Sequence, residues 1–269
     1  MPKQLLKNFA IEIQEKLDEK ETPQGKIAVY QTVPFGKILS LNGKIIMSEH
    51  DGFFYHEMLA HPALFTHAYP ETVAIIGSSF GTCQEVIKHS AISTIDCIDN
   101  QITLQKMLRH YFAEVYPETK DTRIQSYDLD TNQWLSQCES DRFDLIIQTS
   151  STETAVHEDL CHYFRILKCD GLIVQPCVAS LLQPQSLKLW QQSLQNAGFA
   201  HCQFLSFPQP SYPGGWRTVA LAAKRPGIYR MREKRIYNRT FATRYYNFDV
   251  HKAAMALPEF MREEPDLFQ

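Results

Sequence analysis

The spacing of apolar and polar positions divides the chain into two regions. Up to about residue 62, short apolar runs at 27–32 and 37–47 predict antiparallel strands. Asn42 and Gly43 separate two of these runs, and this pair favours the two positive-φ positions of a type I′ hairpin turn. We therefore expect a small antiparallel β domain over residues 1–62.

A helix is predicted over residues 51–67, directly after these strands. Proline removes a backbone donor and crowds the preceding turn, so we expect Pro62 to interrupt or end this helix. The helix is expected to bridge the small β domain and a second domain over residues 63–269.

From residue 72 onward, strand-like and helix-like patterns alternate. Strands are predicted at 73–76, 93–98, 123–127, 143–147, 171–178, 201–207 and 218–223, and helices at 82–89, 103–116, 159–167 and 185–197. Strand–helix alternation is typical of an α/β fold with a mainly parallel sheet covered by helices on both faces. The last two strands, joined by a Pro- and Gly-rich turn, are expected to form an antiparallel closure.

Residues 72–99 have the order of half a nucleotide-binding domain. Gly77 and Gly81 bracket a turn after an apolar strand, and Thr82 with Glu85 predicts a capping box at a helix start. The next strand ends on Asp99, which is placed to accept hydrogen bonds from ribose hydroxyls while the helix N-terminus faces the ligand. The segment lacks the full G-x-G-x-x-G, so an ordinary βαβ unit whose glycines only make the turn is an equal alternative.

Composition narrows the class of protein. The 269 residues carry a formal net charge of −3 without a long basic run, so no nucleic-acid partner is expected. The seven cysteines are odd in number and contain no C-x-x-C, which favours a reducing cytoplasm over a disulfide scaffold or a structural zinc site. No apolar stretch approaches the length of a membrane span and the N-terminus lacks an apolar leader, so neither a membrane partner nor export is expected.

Four histidines, His50, His56, His61 and His67, fall close together and raise the question of a metal site. The segment HEMLAH is H-E-x-x-x-H, and side chains five apart on a helix lie roughly 140° apart around its axis. Shared coordination of one ion would therefore distort the helix, and no metal site is predicted.

The segment that follows residues 143–147 is rich in hydroxyl groups. Ser150 and Ser151 lie outside any G-x-S-x-G pattern, so a serine hydrolase is not predicted. The acids of this segment, Glu153, Glu158 and Asp159, come several residues later. A solvated loop with a helix cap at its end is as good an interpretation as a catalytic segment.

Several motifs together resemble those of the spermidine synthases, the polyamine aminopropyltransferase family, over residues 24–258. They are GKILSLNGKIIMSEHDGFFYHEMLAHPALFTH, AIIG…G…EV, FDLII, PSYPGGW and RYYNFDVHKAAMALP. The resemblance implies a Rossmann-like, methyltransferase-type domain behind the small β domain, and a homodimer. It also implies aminopropyl transfer from decarboxylated S-adenosylmethionine, as co-substrate, to putrescine, with no further cofactor.

Five residues depart from what this resemblance implies. Thr149 stands where the family has its base, an Asp at a strand end, and Thr152 where a second Asp is expected. Phe80 replaces an Asp for the donor's amine, Cys97 a Glu for the ribose hydroxyls, and Gly52 the Glu of D-E-F. Each change removes an acceptor or a negative charge from a site built for a cation. The base could be replaced by Glu153, His157 or Glu158.

Other residues match family positions: Gln24, Tyr55, His56, Gly77, Asp99, Asp130, Tyr212, Gly214 and Gly215. By resemblance, Gln24 and His56 contact the donor, whereas Tyr55 and Tyr212 contact the aminopropyl and amine region. Asp130, or alternatively Asp128, receives the adenine amino group. The alternative interpretation is that such residues persist for folding alone.

Three hypotheses follow from the sequence. The first is a member of the spermidine synthase family that retains the fold but is weakly active or inactive. The second is a non-catalytic protein that binds a less cationic ligand or a protein partner, because Phe80 and Cys97 make the cleft more apolar. The third, an enzyme that uses S-adenosylmethionine itself, is disfavoured because that donor shares the nucleoside whose ribose Glu is missing.

Overall fold

The structure is a computed structural model that describes residues 11–78, 80–150, 157–177, 184–227 and 230–262. Four antiparallel strands, paired in chain order, form the first sheet: β1 (Ile13–Thr22), β2 (Gly25–Thr32), β3 (Gly36–Leu41) and β4 (Lys44–Ser48). Asn42 and Gly43 have φ of 52° and 76°, so the predicted hairpin turn is confirmed. Strand β1 was not predicted, because its sequence IQEKLDEKET is largely charged and exposed and becomes a strand by pairing with β2.

Helix α1 (Gly52–Thr66) follows the first sheet and is buried along almost its whole length. The expectation that Pro62 would interrupt or end this helix is wrong, since the helix continues through it to Thr66. The helix packs against both the next helix and the large sheet, and this burial outweighs the hydrogen bond that a proline cannot donate. The expected domain boundary at residue 62 falls inside α1.

The second sheet has seven strands: β5 (Thr72–Ile76), β6 (Thr94–Ile98), β7 (Ile124–Tyr127), β8 (Phe143–Gln148), β9 (Leu167–Cys177), β10 (His201–Pro208) and β11 (Trp216–Ala223). Their order is β10-β11-β9-β8-β5-β6-β7. Strands β5 to β9 are parallel, and β11 joins β9 and β10 through antiparallel pairs. The predicted α/β fold, with a small N-terminal antiparallel sheet and an antiparallel closure, is confirmed.

The remaining helices lie beside this sheet: α2 (Phe80–Ile87), α3 (Ile102–Tyr111), α4 (Thr131–Gln137), α5 (His157–Ile166), α6 (Pro184–Asn196), α7 (Glu233–Tyr237), α8 (Phe248–Ala254) and α9 (Glu259–Arg262). Two apolar cores, one on each face of the sheet, hold most of them in place. Helix α3 instead packs against apolar residues of the first sheet. Helix α4 was not predicted, and α3 ends five residues earlier than expected. Of the helices in the described ranges, none combines the length and the apolar character that a bilayer crossing requires.

The predicted capping box at Thr82 and Glu85 is wrong. Helix α2 begins at Phe80, so Thr82 lies within its first turn. The Thr82 hydroxyl instead bonds to His56 Nδ1 at 3.0 Å, and the Glu85 carboxylate bonds to His61 Nε2 at 3.0 Å. Contacts with α1, which the local sequence cannot show, take both side chains away from the helix terminus.

Candidate functional site

The carboxyl ends of β5, β6 and β8 meet at one edge of the large sheet. The Gly77 N–H donates to the Ile98 carbonyl at 2.8 Å, and the Thr149 N–H donates to the Ile76 carbonyl at 2.9 Å. Gly77 has φ of 93°, and a Cβ there would lie 2.8 Å from Thr149 Oγ1. This position therefore requires glycine, and the structure brings it together with Thr149, at the edge where ligands bind in open α/β sheets.

Asp99 follows β6 at the same edge and is buried. Its Oδ1 atom accepts from the Gln101 N–H at 2.9 Å. Its Oδ2 atom is inaccessible and has no partner among the described residues. Burial raises the pKa of this carboxyl group above its usual value. The ribose role that the resemblance implies for Asp99 stays a prediction.

Cys97, two residues before Asp99, lies within the apolar core rather than at the strand tip. Its Sγ atom lies 3.9 Å from the Sγ of Cys83, and both side chains are buried. This neighbouring thiol and, to a smaller extent, burial raise the pKa of Cys83, so its uncharged form is favoured. The position where the resemblance implies a carboxylate is thus occupied by a sulfur packed against α2.

An aromatic cluster of Phe80, Tyr116 and His56 lies between α2 and α1. The ring centroids of Phe80 and Tyr116 are 5.8 Å apart, and those of His56 and Tyr116 are 5.2 Å apart, both edge to face. Burial lowers the pKa of His56 to about 4, so its ring is neutral at neutral pH. A Cβ at Gly52 would lie 2.9 Å from the Tyr116 hydroxyl, so Tyr116 occupies the space beside that glycine. Aromatic packing thus surrounds Phe80 and Gly52, two of the positions at which the resemblance implies carboxylates.

Tyr55 and Tyr212 face each other across the side chain of Arg217. The Tyr55 hydroxyl donates to the Thr149 carbonyl at 2.7 Å, and burial raises the pKa of Tyr55 to about 12. The Arg217 guanidinium carbon lies 4.6 Å from the Tyr55 ring centroid and 3.8 Å from that of Tyr212. Sequence reasoning missed Arg217, although a basic residue two positions after Gly215 was a visible signal. The structure joins Thr149, Tyr55 and Tyr212 in one contiguous group.

Asp130 is the N-cap of α4, where its Oδ1 atom accepts from the Asn132 N–H at 2.9 Å. Burial raises the pKa of Asp159, and the negative charges of Glu158 and Asp130 act in the same direction. The starts of α4 and α5 thus bring two carboxylates near each other. Asp128, the alternative to Asp130, is exposed.

Of the remaining predicted site residues, some lie in turns and the others lie outside the described ranges. Gln24 lies in the exposed turn between β1 and β2, where its carbonyl accepts from Asn42 Nδ2 at 3.1 Å. Gly214 and Gly215, with φ of 87° and 70°, form the turn that leads into β11. Ser151, Thr152, Glu153 and the side chain of His157 lie outside the described residues.

The four clustered histidines make separate hydrogen bonds. His50 Nδ1 is 3.0 Å from the Pro34 carbonyl, His56 pairs with Thr82, and His61 lies between His89 and Glu85. His67 Nδ1 accepts from the Tyr69 N–H at 3.2 Å.

At the opposite edge of the sheet, ligand-type atoms of His67, Asp144 and Asp170 lie within 4.8 Å of one another. The bond to Tyr69 leaves His67 Nε2 as the protonated nitrogen, 3.7 Å from Asp170 Oδ2. Asp144 accepts from the Thr72 N–H at 2.8 Å and from Lys168 Nζ at 3.0 Å. A protonated Nε2 is not available as a metal ligand, so hydrogen bonds and ion pairing account for this group.

Comparison with known proteins defines the class to which this fold and site belong. The family model described as "Spermine/spermidine synthase domain" matches residues 52–231. The polyamine aminopropyltransferase of Methylococcus capsulatus is 35% identical over 94% of this chain and 90% of that protein. That of Nitrosococcus oceani is 33% identical over 95% of this chain and 92% of that protein. The chain therefore belongs to the spermine/spermidine synthase family.

Solved structures show the same fold. A spermidine synthase in complex with the transition state analogue AdoDATO aligns with a TM-score of 0.85 at 23% identity, covering 94% of this chain and 89% of that one. The spermidine synthase of Thermotoga maritima aligns with a TM-score of 0.84 at 24% identity, with the same coverage. The predicted Rossmann-like spermidine synthase fold is confirmed.

Proposed function

We propose that this chain transfers aminopropyl from decarboxylated S-adenosylmethionine to putrescine weakly or not at all, on the fold of an aminopropyltransferase. The observation that carries the proposal concerns the residue that follows β8. Thr149 presents a hydroxyl there, and that hydroxyl donates to the Ile76 carbonyl at 3.2 Å. An amine nucleophile must lose a proton, and a threonine hydroxyl is no base for it. A missing general base typically costs a factor of ~10² to 10⁴ in rate.

The positions at which the resemblance implies contacts with the donor support the same proposal. The donor is a sulfonium cation with a free amine, which carboxylates stabilise. Phe80 and Cys97 offer an aromatic ring and a sulfur instead. Each lost charged hydrogen-bond partner costs about 2–5 kcal/mol. Asp99, with its free oxygen, supports a remaining affinity for the nucleoside part.

A second candidate is a non-catalytic protein that binds a less cationic ligand or a protein partner. The packed cluster of Phe80, Tyr116 and His56 favours it, because these rings bring no negative charge to the position where the resemblance implies a carboxylate for the donor's amine. We also propose the homodimer and the cytoplasmic location expected from the sequence. Sedimentation velocity and cell fractionation, respectively, test these two points.

Binding is tested first, by calorimetric titration with decarboxylated S-adenosylmethionine and with methylthioadenosine, the expected product. Weak binding of the product and weaker binding of the cationic donor are expected. Micromolar affinity for the donor would show that the missing carboxylates do not limit it.

Turnover is tested by restoring the base. Thr149→Asp should raise the rate of spermidine formation, measured by mass spectrometry, by up to ~10²-fold. The matched control is Thr149→Asn, which has the same shape and no basic carboxylate, and it should stay at the wild-type rate. Wild-type turnover of ~1 s⁻¹ or more, within the ordinary enzyme range, would contradict the proposal.

Any residual activity is assigned to a substitute base from the segment after Thr149. Glu153 is the proposed substitute, so Glu153→Gln should abolish residual turnover. Glu158→Gln, a neighbouring change of the same chemistry, should retain it. Equal activity of the two variants would remove Glu153 from the mechanism.

A further inference from the structure

Arg217 places a buried positive charge between the rings of Tyr55 and Tyr212. It is the second residue of β11, and its neighbour Thr218 pairs with Cys177, the last residue of β9. The start of β11 therefore lies at the same sheet edge as the carboxyl ends of the parallel strands. Arg217 is 8% exposed, so most of its side chain is removed from water.

Contacts with the other described residues leave one edge of the Arg217 guanidinium group without a partner. The rings of Tyr55 and Tyr212 cover the group at 4.6 and 3.8 Å, and its Nε donates to Gln209 Oε1 at 2.8 Å. Among the described residues, neither Nη atom donates a hydrogen bond and no carboxylate forms an ion pair with this side chain. A buried charge is ordinarily paired, and a planar guanidinium binds carboxylates through two parallel hydrogen bonds.

The carboxylate of Asp51 reaches the loop before β11, where it is hydrogen-bonded to Ser211. Asp51 Oδ2 accepts from the Ser211 N–H at 2.6 Å, and Asp51 Oδ1 accepts from the Ser211 hydroxyl at 2.7 Å. This carboxylate holds the loop before Tyr212 in place through both of its oxygens.

We propose that the free edge of Arg217 binds the carboxylate of a small ligand, so that this end of the cleft takes an ω-amino acid rather than a diamine. The identification of this end as the acceptor end rests on the proposed function. The preference for an anion rests on Arg217 alone. A diamine would place a second cation against a buried cation, whereas a carboxylate would complete the hydrogen bonds of the guanidinium group.

The test compares two ligands of matched length, 4-aminobutanoate and 1,4-diaminobutane, which share one amino end and differ in the charge of the other. Binding of each to the wild-type protein is measured by calorimetry and by competition in ligand-observed NMR, with and without methylthioadenosine. The wild type should prefer 4-aminobutanoate by at least about tenfold, since hydrogen bonds to charged groups are worth that much or more.

Three variants distinguish the effect of the Arg217 charge on binding from an effect on folding. Arg217→Met should abolish the preference, and Arg217→Lys should retain its sign but weaken it, because an ammonium group lacks the planar fork. Arg225→Met, an exposed change just beyond the other end of β11, should leave both affinities at the wild-type value. Thermal unfolding of each variant confirms that it is folded, and the wild-type comparison stands even if Arg217→Met does not fold.

Tighter binding of the diamine, or an unchanged preference in Arg217→Met, would overturn this inference. Neither result depends on turnover. Rapid spermidine formation would contradict the proposed function, whereas the affinity ratio of the two ligands decides the role of Arg217.

Discussion

Asp99 lowers the stability of the ligand-free protein at neutral pH. Its Oδ2 atom is buried without a hydrogen-bond donor among the described residues, and burial raises its pKa. A carboxyl group with a raised pKa in the folded state favours folding at low pH, and this contribution is lost as the pH rises through that pKa. At neutral pH the charged group therefore destabilises the fold, as is common for residues retained for binding.

Asp99→Asn should separate stability from binding. The amide keeps an oxygen for the Gln101 N–H and removes the buried charge, so the free energy of unfolding should rise by about 1 kcal/mol. For a domain of this size the corresponding increase in Tm is about 2–4 °C. The affinity for methylthioadenosine, measured by calorimetry, should fall about tenfold.

The control for this prediction is Asp249→Asn, an exposed acid in the first turn of α8, which should change stability by a few tenths of a kcal/mol at most. A lower Tm in Asp99→Asn together with unchanged affinity would assign Asp99 a purely structural role.

At the scale of elements, α1 connects distant parts of the chain through its polar side chains. The carboxylate of Glu57, buried in α1, accepts from the backbone N–H groups of Arg244, Tyr245 and Tyr246 at 2.8, 2.9 and 2.7 Å. His61 joins the same helix to α2 through Glu85. The conformation of the RYYN segment thus depends on one side chain that is almost 190 residues earlier in the sequence.

Glu57→Ala should destabilise the protein strongly, because it leaves three backbone donors without an acceptor. At about 1 kcal/mol or more for each, the free energy of unfolding in urea should fall by about 3 kcal/mol. Glu57→Gln keeps one carbonyl oxygen and should lose about half as much.

Glu114→Ala, which removes an exposed carboxylate, is the control and should be neutral within about 0.5 kcal/mol. If Glu57→Ala were as stable as this control, the three hydrogen bonds would not hold the segment.

At the scale of the whole molecule, several buried histidines make stability depend on pH. Burial lowers the pKa of His56 to about 4, of His89 to about 2 and of His251 to about 4, from an ordinary value of 6.5. A histidine whose pKa is depressed in the folded state binds a proton only on unfolding. Its contribution is present above pH 6.5 and is lost as the pH falls toward the folded-state value.

The free energy of unfolding should therefore fall by about 4 kcal/mol between pH 7.5 and pH 5.5, since each of these three histidines contributes about 1.4 kcal/mol per pH unit below 6.5. Asp96 and Asp99, whose pKa values are raised by burial, act in the opposite direction at lower pH. Urea denaturation at several pH values measures the slope.

Two variants test the source of this slope. His89→Gln should reduce the fall in unfolding free energy over this interval by about 1.4 kcal/mol. His110→Gln, an exposed change, should leave it unchanged. Unfolding free energies that are flat across this range would show that the histidines are solvated.

The sequence by itself determined the elements whose signals are local. Alternating and continuous apolar runs predicted the strands β2 to β11, and Asn42–Gly43 predicted the hairpin turn, because side-chain periodicity and positive φ are properties of a few adjacent residues. The motif order likewise indicated the family. It also placed Thr149, Tyr55 and Tyr212 in one site, where the structure finds them in contact or around one guanidinium group.

Only the tertiary structure decided the features that depend on a distant partner. Strand β1 exists by pairing with β2, helix α1 continues through Pro62 because it is packed on several sides, and Thr82 turns from its helix terminus to His56. The position of Arg217 between two tyrosines is of the same kind. The energies of such contacts come from burial and from pairing across long sequence separations, which a local pattern does not contain.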